Sequence, residues 1–287
     1  MNHTEQRERY RRILAGDTCI NPASVFDPIS ARFADTLGFE VGMLAGSIAS
    51  ATVLGAPDLI VLTLTEFAEQ VRRITRASDL SLMVDADHGY GNALNAMRTV
   101  EEMEAAGVSA LSLEDTTLPI AFRQQPGQEM IPVEEMVGKL KAALAARKDP
   151  SLVIIGRTSA MAFAGVESAT ERVKAYTAVG VDAIFLAGVR EREQLLAIRE
   201  CTTLPLLLGN TPPAINDPDF LAANGVRIAL TGHLPFLASV KATYDALRHL
   251  KDGGTPAALR ENVATDELLD LATDQPEYAR WQKEYLG

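Results

Sequence analysis

Long apolar runs are missing from this chain of 287 residues: no stretch approaches the roughly 20 consecutive apolar residues of a membrane span. Cysteine is scarce, with only Cys19 and Cys201. Two thiols in apolar, strand-like surroundings are expected to be free rather than paired, as in a reducing compartment. Positive charge is also short. Lys and Arg total 27 against 38 Asp and Glu, a formal net charge of −11. That balance argues against nucleic acid or an anionic membrane surface as a partner. The opening MNHTEQRERYRRILAG has no apolar segment of the kind a secretory signal needs. A cytoplasmic location is therefore expected. The basic cluster RERYRR within it is expected to be a solvated helix face on so acidic a chain. No low-complexity linker divides the sequence, and its 47% hydrophobic content suffices for a large core.

What is present is a repeat of short apolar run, polar or Gly-bearing loop, and helix-period segment. The runs expected to be strands are residues 19–21, 41–45, 82–84, 110–113, 153–156, 183–186, 206–208 and 227–230. Helical periodicity covers 94–106, 133–147, 169–179 and 234–250. Three helix-to-strand joints, AAGVSAL, AVGVDAIFL and AANGVRIAL, place a Gly where a left-handed residue ends a helix. Buried runs without period-two alternation, alternating with helices, imply a parallel sheet covered by helices. Eight units suit a closed (β/α)8 TIM-type barrel better than an open doubly wound sheet. We expect residues 1–250 to form the barrel with an N-terminal helix. After the break KDGGTPAAL, residues 251–287 are expected to be a helical tail, with Trp281 and Tyr285, packing on the barrel or on a neighbouring subunit.

The segment LMVDADHGYGN poses the central problem. Asp85 and Asp87 stand one residue apart at the end of a buried strand, where like charges and desolvation both oppose ionisation. Active sites of such barrels lie at the C-terminal ends of the strands. Those ends would deliver Ala45, Gly46 and Ser47, then Asp85 and Asp87, Glu114 and Asp115, Arg157 and Ser159, Asn210, and Thr231 and His233, with Asp58 in the loop region after the second strand. For one Asp, capping a loop or pairing with an arginine is an adequate account. For Asp58, Asp85, Asp87 and Glu114 together, a divalent cation is the economical one. Hard oxygens without Cys, HxH or HExxH favour Mg²⁺, with Mn²⁺ as a substitute, over zinc.

VDADHGYGNALN followed by LSLEDTTLP resembles the isocitrate lyase/phosphoenolpyruvate mutase superfamily, marked by a D-x-D-x-G-x-G strand end and a downstream E-D. The likeness continues through VFDPISARFADTLGFEVGMLAGSIAS, IIGRTSA and LTGH, and so spans nearly the whole barrel. The resemblance implies Mg²⁺ bound directly by Asp85 and through water by Asp58, Asp87 and Glu114. It implies 2-oxo acid substrates reacting through an enolate, with the Gly46 and Ser47 amides supporting the developing charge and Arg157 pairing with the substrate carboxylate. It also implies a homo-oligomer, commonly a tetramer.

The loop after the fourth strand separates branches of that family. Isocitrate-type lyases carry Lys-(Lys/Arg)-Cys-Gly-His there, and phosphonate-cleaving members carry gate sequences with lysines. Here it reads TTLPIAFRQQPGQEMIP, without Cys, Lys or His. Decarboxylation of a 3-carboxy-2-oxo acid asks only that an enolate be held. The pattern, including SVFDP and KATYDALR, is most similar to the bacterial oxaloacetate decarboxylases of the superfamily, which implies substrate contacts at Ser47, Arg157 and His233. Asn210 is either a substrate contact or a turn residue before two prolines, and His233 alone could merely begin a helix. His88 is expected to orient its loop, and Tyr90 and Asn92 to line the pocket or cap the following helix. The expected activity is Mg²⁺-dependent conversion of oxaloacetate to pyruvate and CO₂. The alternatives are a carbon–carbon lyase or hydrolase acting on a related diacid or phosphonopyruvate, or a barrel that binds 2-oxo acids without turnover.

Overall fold

A computed structural model describes residues 3–123 and 129–287. Eight parallel strands follow in order, each paired with the next: β1 (Ala23–Ser24), β2 (Val41–Leu44), β3 (Ser81–Asp85), β4 (Ala110–Glu114), β5 (Val153–Thr158), β6 (Ala183–Ala187), β7 (Leu206–Gly209) and β8 (Val226–Ala229). Closure comes from one residue before β1. The Ile20 N–H donates to the Arg227 carbonyl at 2.9 Å, and the Ala229 N–H donates to the Ile20 carbonyl at 2.9 Å. The sheet is thus the expected (β/α)8 barrel. The expected strand over residues 19–21 is reduced to that single bridge, and β1 begins only after Pro22. Proline has no N–H to give, so the ladder breaks there.

The helices are α1 (Thr4–Ala15), α2 (Pro28–Thr36), α3 (Gly46–Leu54), α4 (Leu64–Thr75), α5 (Ala93–Ala106), α6 (Val133–Ala146), α7 (Ala160–Phe163), α8 (Gly165–Val179), α9 (Arg192–Arg199), α10 (Pro218–Ala223), α11 (Leu234–Lys251), α12 (Asp266–Thr273) and α13 (Gln275–Tyr285). Their starts are written locally. Asp27, Thr63 and Asn92 each cap a first turn through the side chain, with Ser30, Glu66 and Asn95 returning the bond. At the other end, Gly107, Gly180 and Gly225 take the left-handed conformation the three joints called for. Strands β2, β3 and β4 are buried along their whole length, as a parallel sheet covered on both faces requires.

Helix α1 seals the N-terminal end of the barrel, and here the structure corrects the sequence reading. Only part of RERYRR is a solvated face. Arg7 is buried, its guanidinium donating to the carbonyls of Val108 and Glu104 and to Asp149. Arg11 donates to the carbonyls of Ser151 and Leu152 and to Asp182. Carbonyls just ahead of β4 and β5 need donors, and the long stems of Arg7 and Arg11 carry guanidinium groups to them.

At the far end of the chain, α11 has no buried residue, although it follows the last strand. The tail beyond it touches the barrel through α12, whose Ala272 carbonyl accepts from Arg32 at 2.5 Å. No helix is long and apolar enough to cross a membrane among the described residues. Both cysteines are free.

Candidate functional site

Strand β3 ends at Asp85, and the chain then folds back on itself. Asp87, Gly89, Tyr90 and Gly91 all have positive φ, with values of 48°, 78°, 59° and 147°. The turn continues the β3–β4 pairing: Ala86 N–H donates to the Ser112 carbonyl at 3.0 Å, and Glu114 N–H donates to the Asp87 carbonyl at 2.8 Å. Asp85, Asp87 and Glu114 are thereby gathered at one strand-end corner. Asp85 Oδ1 accepts from Ser112 Oγ at 3.2 Å and from the Asp87 N–H at 3.3 Å. Asn92 caps α5, and Tyr90 packs near Phe67 with its hydroxyl buried and unpartnered among the described residues.

Arg157 on β5 is the cation of the corner. Its register partner is Glu114, whose Oε2 lies 3.0 Å from Nη2, while Nη1 pairs with Asp85 Oδ2. The guanidinium also sits 5.1 Å from the centre of the Phe185 ring. Pairing with an arginine thus accounts for Asp85 and Glu114. It does not account for Asp58 and Asp87, which have no ion pair among the described residues.

Electrostatics records the imbalance of four carboxylates around one guanidinium. Burial first, then the charges of Asp85, Glu114 and Asp58, raise Asp87 well above the ordinary carboxylate range. Burial pushes Glu114 up to about 7, against the pull of Arg157. Asp58 is raised by burial and by Asp85. Arg157 is held more firmly protonated than usual: burial opposes its charge, and Asp85 and Glu114 outweigh burial.

A cavity of about 390 Å³ opens beside this corner, with Ser47, Asp58, Asp85, Arg157, Asn210 and His233 in its lining. Gly46, Asp87 and Glu114 stand behind that lining. Gly46 is where it is for space: a Cβ on it would lie 2.5 Å from Asp87 Oδ1. Gly46 and Ser47 are not loop residues but the first two of α3, and Ala45 before them offers no side-chain cap. Their N–H groups are among those a helix start leaves without an intrahelical partner. Asn210 is a left-handed turn residue (φ 54°) and also lines the cavity. His233 is the N-cap residue of α11 without a capping bond, and its Nδ1 lies 2.8 Å from Ser24 Oγ. Burial lowers its pKa, against the charge of Asp85.

Met43, Phe185 and Leu230 add apolar side chains to the lining. Sequence reasoning missed Phe185 and Ser24. Phe185 lies inside an apolar strand run, and only the register of β5 with β6 sets its ring under Arg157. The loop after β4 leaves through a Thr116–Met130 bridge, and the Thr117 N–H donates to the Glu129 carbonyl at 2.9 Å. Residues 124–128, in the middle of the segment that lacks Cys, Lys and His, lie outside the described residues.

Hard carboxylate oxygens, surplus negative charge and a buried setting together fit a hard divalent cation. Among the described residues no three Asp, Glu, His or Cys side chains converge as a ready set of direct ligands.

The sequence profile of phosphoenolpyruvate phosphomutase matches residues 11–251. An oxaloacetate decarboxylase of Rhodopseudomonas palustris (strain BisB18) is 53% identical over 273 residues, covering 95% of this chain and 94% of that protein. An oxaloacetate decarboxylase of Bradyrhizobium diazoefficiens is 49% identical over 287 residues, covering 100% and 99%. Among solved structures, a phosphonopyruvate hydrolase in complex with oxalate and Mg²⁺ superposes with a TM-score of 0.86 at 27% identity, covering 98% and 99% of the two chains. An oxaloacetate acetylhydrolase does so with a TM-score of 0.82 at 27% identity, covering 95% and 96%. Fold, strand-end carboxylates and relatives agree: the chain belongs to the phosphoenolpyruvate mutase/isocitrate lyase superfamily.

Proposed function

We propose that this protein is a Mg²⁺-dependent carboxy-lyase that converts oxaloacetate to pyruvate and CO₂. Its relatives at about half identity over nearly the whole chain carry that activity in their names. The observation that carries the reading is the cavity itself. Its lining combines charged Asp85 and Arg157 and the start of α3 with the apolar side chains of Met43, Phe185 and Leu230.

Asp85 would hold Mg²⁺ directly, with Asp58, Asp87 and Glu114 holding its waters, and Mn²⁺ satisfies the same oxygen donors. When bound, the ion supplies Lewis-acid stabilisation of negative charge on the 2-oxo oxygen. The Gly46 and Ser47 N–H groups, at the positive end of α3, favour the same charge. Arg157 supplies a charge-assisted bond to the carboxylate next to the 2-oxo group. His233 donates a hydrogen bond, and Asn210 adds a further polar contact. The apolar side chains of the lining, Met43, Phe185 and Leu230, solvate a departing carboxylate poorly and favour its leaving as neutral CO₂. The C3–C4 bond breaks, its electron pair passes into the enolate, and C3 later takes one proton to give pyruvate. No thiol or lysine at carbon is required, in keeping with the sequence of the loop after β4.

We further infer a cytoplasmic homo-oligomer, a tetramer in keeping with the family. An exposed stripe on α11 supports this: Leu234, Leu237, Val240, Tyr244 and Leu247 are all at least half exposed. Residues 251–287 then serve as a tail belonging to that assembly.

The test is pyruvate formation from oxaloacetate with and without Mg²⁺, against an enzyme-free blank at the same metal concentration. A rate well above the blank, lost with EDTA and in Asp85→Ala, is expected. A rate at the blank refutes the decarboxylase reading. The same assay run on phosphonopyruvate and on C4 to C7 hydroxy and 2-oxo diacids decides for or against the related lyase or hydrolase. That second reading is favoured by solved neighbours such as the phosphonopyruvate hydrolase and the oxaloacetate acetylhydrolase.

A further inference from the structure

The seam where the barrel closes carries a contact that no part of the reaction above uses. Ser24 ends β1, and His233 lies beyond β8 across the seam, more than two hundred positions away in the chain. Their side chains meet at 2.8 Å, Ser24 Oγ to His233 Nδ1. Gly232, at φ 85°, turns the backbone so that His233 stands at the start of α11 without capping it. The imidazole is thus free of the helix, fixed at Nδ1 by Ser24 and turned toward the cavity that His233 lines.

Hydrogen bookkeeping decides which nitrogen carries the ring proton. Ser24 is 9% exposed, and its hydroxyl has no other hydrogen-bond partner among the described residues. Were Nδ1 protonated, it would donate to Ser24, and the hydroxyl proton would find no protein acceptor among the described residues. Were Nε2 protonated, the hydroxyl would donate to Nδ1 and every proton in the pair would be placed. The second arrangement leaves an N–H, rather than a lone pair, facing the cavity beside Arg157 and the α3 amides. A lone pair there would meet the oxygens of an anionic substrate and repel them. An N–H bonds them.

We propose that Ser24 is a positioning residue that selects the Nε2–H tautomer of His233 and so makes this side of the cavity a hydrogen-bond donor for a dicarboxylate or 2-oxo acid. The inference deepens the reading of His233 given above and rests on it. Ser24 itself touches no substrate. Its loss weakens binding more than bond cleavage, because a hydrogen bond made equally to bound substrate and transition state lowers KM without raising kcat.

The test uses full-length protein labelled with ¹⁵N in the histidine rings. Only four histidines are present, so His233→Gln assigns the His233 signals. In the free wild-type protein at neutral pH, long-range ¹H–¹⁵N spectra are expected to show an unprotonated Nδ1 and a protonated Nε2 for His233. Ser24→Ala should mix the two tautomers and raise the oxalate Kd by about tenfold, the loss of one hydrogen bond. Its KM should rise more than its kcat falls. Ser24→Thr, which keeps the hydroxyl, should restore both the ring spectrum and the affinity. If Ser24→Ala fails to fold, Ser24→Cys, with a weak S–H donor, replaces it with the same expectations at smaller size. A wild-type ring protonated at Nδ1 overturns the proposal. So does a Ser24→Ala protein with unchanged ring shifts and unchanged oxalate affinity. The ring spectra need no turnover, so failure of the decarboxylase assay and failure of this assignment are separate results.

Discussion

Gly46→Ala adds one methyl group at the first residue of α3 and aims it at a carboxylate. The new Cβ would lie 2.5 and 2.8 Å from the two Asp87 oxygens and 2.9 Å from its Cγ, whereas ordinary contact begins near 3.4 Å. Asp87 must therefore retreat by roughly 0.9 Å. It has no good direction to go, since Asp85, Glu114 and Asp58 already repel it. The fold should not suffer, because Gly46 has no positive φ and Ala is the better helix former by up to ~1 kcal/mol. Stability and function should therefore separate. Urea denaturation is expected to give a midpoint equal to or slightly above wild type. Calorimetric titration should show Mg²⁺ affinity strongly reduced, and pyruvate formation should fall by about 10²-fold, the usual cost of a 1 Å misplacement. Gly46→Ala with wild-type Mg²⁺ affinity and rate would refute the packing of Gly46 on a functional carboxylate. A destabilised Gly46→Ala protein would instead make Gly46 a structural glycine.

Three further outcomes follow from the packing. Tyr176 and Arg172 both donate to the fully buried Asp115, at 2.7 and 3.0 Å. Tyr176→Phe should cost ~1–2 kcal/mol and Asp115→Asn ~3–5 kcal/mol by denaturant titration, the second leaving Arg172 a buried unpaired charge; equal costs would refute this. At the base of the barrel, burial would raise Asp149, yet bonds from Ser151, Arg7 and Thr4 hold its carboxyl below the ordinary range. A depressed folded pKa stabilises above the unfolded value and is lost as pH falls below about 4, so Asp149→Asn should cost roughly 1.5–3 kcal/mol at pH 7 and progressively less on acidification. A penalty independent of pH would count against it. Finally, Leu237→Glu with Leu247→Glu on α11 should shift the light-scattering mass toward 30.9 kDa; an unchanged oligomer would show that the stripe is not the contact.

The legible part of this molecule was whatever depends on neighbours in the chain. Apolar runs, capping pairs such as Thr63 with Glu66, and the glycines at 107, 180 and 225 act within one turn or strand, so their types and spacing announce them. Eight such units in a row imply the barrel, and the barrel rule places the strand ends on one face. Carboxylates found at those ends then point to one site before any contact is known. Less legible were the groups whose partners lie far along the chain. RERYRR reads as surface because charge usually is, and only the open carbonyls ahead of β4 and β5 draw Arg7 and Arg11 inward.

The sequence by itself thus determined the alternation of elements, the strand-end chemistry and the family, because those are written in local periodicity and in residue order. Tertiary structure alone decided how charge is shared in the site. It paired Arg157 with Asp85 and Glu114 and left Asp58 and Asp87 without an ion pair among the described residues. It also brought Ser24 to His233 across the seam, since closing the barrel joins β1 to β8, a contact that no local pattern encodes.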